Sequence, residues 1–219
     1  MTASARELPL FPLQVVLFPG MVLPLHIFES RYRQMIADCQ QQRKPFGVVL
    51  ARPESLPLQE EPYPVGTMAE MRDLHRLEDG RYILMACGKQ RFHILRQHRL
   101  KPYLSGIVEP YRDVWEAEDS LLGVAKQARS LFSMYLNMLL EAANEAEKDL
   151  HASVPDDPEE LSHFIAYFLE VPNVQKQRFL ELTSTRQRLQ EVITILRREV
   201  PFMRQMLFRQ IDEDRSRLN

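Results

Sequence analysis

The sequence predicts an α+β fold of two lobes, β-rich over residues 1–112 and helical over residues 113–219, the second ending in a tail helix. Three observations predict it. Up to Glu109 the apolar residues come in short runs separated by Gly, Pro and Asp-Gly turn signals, as in a small, mostly antiparallel barrel or pair of sheets. Beyond Glu118 they recur at intervals of three and four over long stretches, the period of a helix face. The charge changes at the same place: residues 1–112 hold 15 Lys+Arg and 11 Asp+Glu, a balance of +4, whereas residues 113–219 hold 13 and 19, a balance of −6.

The first lobe opens with an uncharged ribbon, Leu8 to Phe28, long enough to raise the question of a membrane span. Pro9, Pro12, Pro19 and Pro24 answer it, because each lacks an N–H and clashes with a preceding helical turn. The ribbon reads as two short strands around a Phe18-Pro19-Gly20 turn, followed by a helix from Glu29 to Gln42 whose Tyr32, Met35, Ile36 and Cys39 share one face. Lys44-Pro45 ends that helix. Phe46 to Ala51 is a continuous apolar run suited to a strand covered on both faces at the centre of the lobe. Arg52 to Pro64, with four prolines and three glutamates, reads as an exposed loop. Thr67 to His75, Arg81 to Cys87, Arg91 to Gln97 and Tyr103 to Glu109 are the remaining strand segments, with Asp79-Gly80 as a hairpin turn.

In the second lobe Leu121, Ala125, Ala128, Phe132, Tyr135 and Leu139 hold a helical spacing that Val124, Leu131 and Met138 broaden. Asp157-Pro158-Glu159-Glu160 opens another helix with an N-cap, a first-turn proline and acids at the positive end of the dipole. Its face is Leu161, Phe164, Ile165, Phe168 and Leu169, and Val171-Pro172 stops it. A short helix over Val174 to Leu182 follows. Ser184 to Gln187 then resembles a capping box for a helix with the stripe Leu189, Val192, Ile193, Leu196 and Val200. Pro201 should kink or end that helix, yet Met203, Met206, Leu207 and Ile211 continue an apolar spacing into the tail. Met68, Met71, Met134 and Met138 fit core positions.

Composition excludes several function classes. A net charge of −2 and a pI near 6.3 give no general attraction to phosphate backbones or anionic lipid. Cys39 and Cys87 form no CxxC, so neither a disulfide framework nor a zinc site is indicated; the prolines interrupt any signal-peptide core, and a cytoplasmic protein is expected. Gly88-Lys89 is the one Gly-Lys pair, but Ile83 stands where a phosphate-binding loop needs its first glycine and Gln90 where it needs Ser or Thr. His93 and His98 are five apart, which on a strand turns them to opposite faces. Glu29 and Arg31 fit fold maintenance at a helix start better than catalysis. No catalytic, cofactor-binding or metal-ligating residue is assigned.

The phrases LPLFPL, VLFPGMVLPLHIFESRY, PFGVVL, VGTMAEM and DGRYILMACGKQRFHIL, with RFLELTSTRQRLQEVITILRREV near the end, resemble in order the N-terminal, substrate-binding domain of the ATP-dependent Lon protease. The resemblance implies a stand-alone homologue of that domain: a PUA-like β-barrel lobe followed by a helical bundle lobe. It also implies a non-catalytic module that recognises protein segments or unfolded proteins, with a separate protease as a further partner. That family's ATPase and its serine and lysine protease parts have no matching segment. Phe202, Met203 and Met206, beyond Pro201, are the candidates for exposed partner contacts. PUA-like folds also include RNA-binding members. Between Gly80 and Val108 lie six cations and no acid, so Arg91, Arg96, Arg99 and Lys101 form the alternative, an RNA-binding edge near Phe92 and Tyr103. Against it, cations also protect a sheet edge from unwanted pairing, and the two aromatics fit a core.

Overall fold

The computed structural model describes residues 5–53, 61–143 and 154–217. These divide into two compact units, Met1–Asp113 with Tyr167–Thr183, and Val114–Ala166 with Ser184–Asn219. A piece of the helical half of the sequence therefore belongs with the strands.

The first unit contains β1 (Arg6–Leu13), β2 (Val22–Ile27), α1 (Ser30–Gln42), β3 (Phe46–Leu50), β4 (Val65–Arg76), β5 (Tyr82–His98) and β6 (Ser105–Pro110). The strand order is β2-β5-β4-β3-β1-β6, and β6 pairs again with β5. Five strands thus close into a barrel, and β2 hangs on β5 outside the ring. β1 and β3 run parallel, while every other pairing is antiparallel. The length of β5 makes closure possible: Tyr82–Cys87 pairs with β2, and Phe92–His98 pairs with β6 along the same edge. β3 is buried at all five positions, as its unbroken apolar run requires.

Two apolar clusters fill this unit. One joins the α1 face, Tyr32, Met35, Ile36 and Cys39, to Phe11, Phe46, Leu84 and Tyr103; the other gathers Leu8, Leu10, Val49, Met68, Phe92, Ile94 and Val108. Each large side chain so buried contributes about 1.5–3 kcal/mol. The ribbon's turn is of the kind proline and glycine favour: Met21 N–H donates to Phe18 O at 3.2 Å, and Gly20 has φ +78°. Gly88 breaks no strand. It is the point where that turn docks, its N–H donating to Met21 O at 2.8 Å and its C=O accepting from Gly20 N–H at 3.0 Å. Helix α1 ends at Arg43, which adopts the left-handed conformation (φ 51°) and lets Lys44 N–H reach Cys39 O. The proline-rich loop closes at its base through Arg52 N–H to Glu61 O and Tyr63 N–H to Leu50 O; residues 54–60 of the expected loop lie outside the described residues.

The helices are α2 (Glu118–Ala143), α3 (Pro158–Phe168), α4 (Asn173–Glu181) and α5 (Thr185–Arg217). Both N-caps read from the sequence are present, Glu160 N–H bonding Asp157 Oδ1 at 2.9 Å and Gln187 N–H bonding Ser184 Oγ at 3.0 Å. In the second unit α2 packs along α5, and Phe132 meets Phe164 edge-on at 5.8 Å. Met134 corrects the expected core: it is exposed, because the buried stripe runs through Phe132, Tyr135 and Leu136 and leaves position 134 facing away. Pro201 lies inside α5 without ending it. Segment 167–183, with α4, is held in the first unit by Gln177 Nε2 donating to Val65 O at 2.9 Å and Tyr111 OH donating to Glu181 O at 2.9 Å.

Candidate recognition surface

β2 and the first half of β5 form a two-sided ribbon. Leu23, Leu25 and Ile27 turn inward, opposite Ala86, Leu84 and Tyr82; Pro24 and His26 turn outward, opposite Met85 and Ile83, as does Val22, whose partner Cys87 is buried. In most half-solvated sheets the outward set is polar. Here Val22 is 47% exposed, Ile83 43% and Met85 36%, and Pro24 is exposed beside them. Phe28, 62% exposed, follows the strand, its ring 6.1 Å from that of His26. On the far side β4 sets Arg72 against Met85 and His75 against Ile83, giving the apolar strip a polar border. A contiguous exposed apolar strip with such a rim is the form taken by protein-contacting surfaces.

Hydrogen bonds tie both ends of α1 to their neighbours. Arg31 Nε donates to Glu29 Oε2 at 2.9 Å, so the Glu29 carboxylate is engaged at the start of α1 without capping it. Arg33 Nη1 donates to Asp79 O at 3.3 Å and ties α1 to the β4–β5 turn. At the other end of α1, Asp38 Oδ2 accepts from Lys101 Nζ at 2.8 Å and from Tyr103 OH at 2.6 Å. These two donors hold the Asp38 carboxyl below the ordinary carboxylate range. Burial first, and then the bond to Asp38, pushes the Tyr103 hydroxyl up to about 12. Burial also pushes the Cys39 thiol up to about 12, which leaves it an inert core group.

The alternative basic edge is not brought together. Arg91 is buried, its guanidinium donating to Leu180 O at 2.7 Å, Leu182 O at 2.6 Å and the Asp113 carboxylate, so it is removed from any contact with a ligand. Its charge serves to hold chain segments together. Arg96 and Arg99 are exposed, and Lys101 is engaged by Asp38 and Tyr103. Phe92 and Tyr103 are core residues, so neither offers a stacking face. His93 and His98 lie beside Glu109 and Glu7 respectively, and among the described residues no group of His, Cys, Asp and Glu is placed to hold a metal ion.

In the second unit Phe202 and Met206 are 57% and 52% exposed on α5, one helical turn apart, and Met203 between them is half-buried. Val114, Trp115 and Leu122 are exposed at the start of that unit, Trp115 at 88%. No motif announces Val22, Pro24, Phe28, Ile83 or Met85. The signal for them is in the strands themselves: Val-Leu-Pro-Leu-His-Ile and Tyr-Ile-Leu-Met-Ala are apolar at both parities, so whichever set faces inward, the other is left adhesive.

A closed barrel with an appended apolar ribbon, in one chain with a helical unit, defines an α+β protein that exposes an apolar strip on its strands. The chain belongs to the ATP-dependent protease La (LON) substrate-binding domain family, whose model matches residues 7–198. It is 30% identical over 200 residues to a Lon protease of Anaeromyxobacter dehalogenans, a match that takes in 88% of this chain and 23% of that protein. The chain thus spans about a quarter of the length of the curated relatives it matches. A crystal structure of a Lon N-terminal domain protein from Xanthomonas campestris is similar, with TM-score 0.63 and 26% identity, covering 86% of this chain and 98% of that one. The N-terminal domain of a Mycobacterium avium complex Lon protease shares the fold, with TM-score 0.66 at 18% identity, covering 87% and 98%. The matched family is the substrate-binding domain alone. Among the described residues no helix is long and apolar enough to cross a membrane.

Proposed function

We propose that this chain is a non-catalytic recognition module that holds exposed apolar segments of unfolded proteins, acting in the cytoplasm, with a separate protease as the recipient of what it captures. One observation carries the reading: the outward strip of Val22, Pro24, Ile83 and Met85 with Phe28 beside it, apolar surface that a folded, isolated barrel has no need to expose. Methionine and proline suit varied sequences, since a thioether adapts to different shapes and neither residue demands a particular hydrogen bond. Phe202 and Met206, with Met203, form a second contact patch on the helical unit.

The test is a titration of reduced, carboxymethylated lactalbumin, a permanently unfolded protein, followed by fluorescence anisotropy. Replacing both Ile83 and Met85 by Ser should weaken binding on the order of tenfold while the protein stays folded at the assay temperature by circular dichroism. Equal affinity would remove the strip from the function. Removal of residues 202–219 should weaken it further if the α5 patch takes part, and leave it unchanged if not. Incubation with the same unfolded protein and ATP should give no cleavage products.

A further inference from the structure

We propose that β2 is a docking edge, at which a short extended segment of an unfolded protein adds as one more strand, bonded through its main chain, with alternate side chains lying on the Val22–Met85 strip. This rests on the recognition reading above and gives it a mode. Every strand of the barrel pairs with at least two others; among the described residues β2 pairs with β5 alone. Its pairing pattern fixes what the open edge presents. Gly88 N–H donates to Met21 O, which sets the phase of the ladder, and the antiparallel alternation then places the hydrogen-bonded pairs at Leu23/Ala86, Leu25/Leu84 and Ile27/Tyr82. The main-chain groups of Val22, Pro24 and His26 therefore point away from β5. That edge offers two N–H donors, of Val22 and His26, and three C=O acceptors, because Pro24 has no N–H. Only another extended main chain complements such a row.

A contrast within the same sheet supports the choice. The end of β4 beyond Ala69 also lacks a strand on one side, but a bulge lies between Arg72 and His75 with Asp73 at φ 49°, and Glu70, Arg72, Asp73 and Arg76 are exposed there. Bulges and charges are how sheet edges are closed to strangers. β2 has no charged residue and no bulge in its register; Pro24 is its single guard. The size of the strip decides between occupants. Six residues extend about 20 Å, and with the neighbouring column about 10 Å wide the contact is on the order of 200 Å². A stable dimer needs about 800 Å² from each partner. A second copy is thus too large an occupant for so small a surface, whereas a transiently held segment of five or six residues fits it.

Amide hydrogen exchange followed by NMR, with and without saturating carboxymethylated lactalbumin, tests the mode. The Val22 and His26 amides should slow at least tenfold on binding, while those of Leu23 and Leu25, already bonded to β5, change little. Pro24→Ala, which restores a third donor, should tighten binding about threefold, and His26→Pro, which removes one, should weaken it at least fivefold. Binding with unchanged exchange at Val22 and His26 would overturn the edge and leave the recognition reading standing; absence of binding would overturn both. Protection of these amides without the probe, together with a doubled mass in sedimentation, would assign the edge to a second copy and overturn the proposal.

Discussion

Gly88 and Gly123 are glycines inside regular elements, and alanine should act on them with opposite sign. A Cβ at Gly88 would lie 2.3 Å from Phe18 O and 3.2 Å from the Leu17 side chain, and because the nearest atom is backbone the turn cannot yield without losing its bonds. Gly123, on exposed α2 surface, has nothing within 4 Å of the same position. Gly88→Ala should destabilise by about 2–3 kcal/mol, and Gly123→Ala should stabilise by about 0.5–1 kcal/mol, read from denaturant midpoints. Asp38 gives a pH-dependent counterpart. Its folded pKa is lowered by the bonds from Lys101 and Tyr103, so its contribution is present above the unfolded value of about 4 and is lost as pH falls through the folded one. Asp38→Asn should unfold at lower denaturant than the parent at pH 7, and the gap should close as the solution is acidified below about pH 4. A gap independent of pH would mean that the bonds, not the charge, matter.

At the scale of elements Arg91 is the residue that binds most together. Its guanidinium reaches from β5 to Asp113 at the end of the first chain segment and to the carbonyls closing α4, and both Arg91 and Asp113 have nearly fully buried side chains. Removing one member leaves the other as a buried, uncompensated charge, so Arg91→Met should cost about 3–5 kcal/mol. Arg91→Met combined with Asp113→Leu should recover a large part of that loss, and chemical denaturation of both variants checks it. Local signals made several elements legible: the Phe18–Met21 turn, the Asp157 and Ser184 caps and the α1 face all rest on residues no more than four positions from the next. Other features have no such signal. β5 reads as two strands because Gly88 looks like punctuation, and only the docked turn shows why a glycine belongs in mid-strand. The basic character of 81–101 is plain in the sequence, yet the burial of Arg91 depends on a helix almost 90 positions away. The parallel β1–β3 pairing and the exposed parity of β2 likewise depend on long-range register.

For the whole molecule, a net charge of −2 together with an Arg91 withdrawn into the core argues against phosphate-backbone attraction. Titration with single-stranded RNA at physiological ionic strength should show no salt-dependent association. The family match and the fold agree on what the chain is built like: β5 belongs to the closed barrel and carries β2 on its edge.

The route of the chain carries a consequence for how the protein is made. It leaves the first unit at Asp113 and returns to it only with Tyr167–Thr183, the segment that receives Arg91 and Tyr111. At about 5–20 residues per second, the ribosome needs several seconds to bridge that interval. Throughout it a barrel complete in its strands waits with a buried-to-be guanidinium lacking the α4 carbonyls. The last part of the barrel's own stabilisation therefore arrives after much of the helical unit has been synthesised, and a nascent chain stalled between these points lacks the carbonyls that engage Arg91.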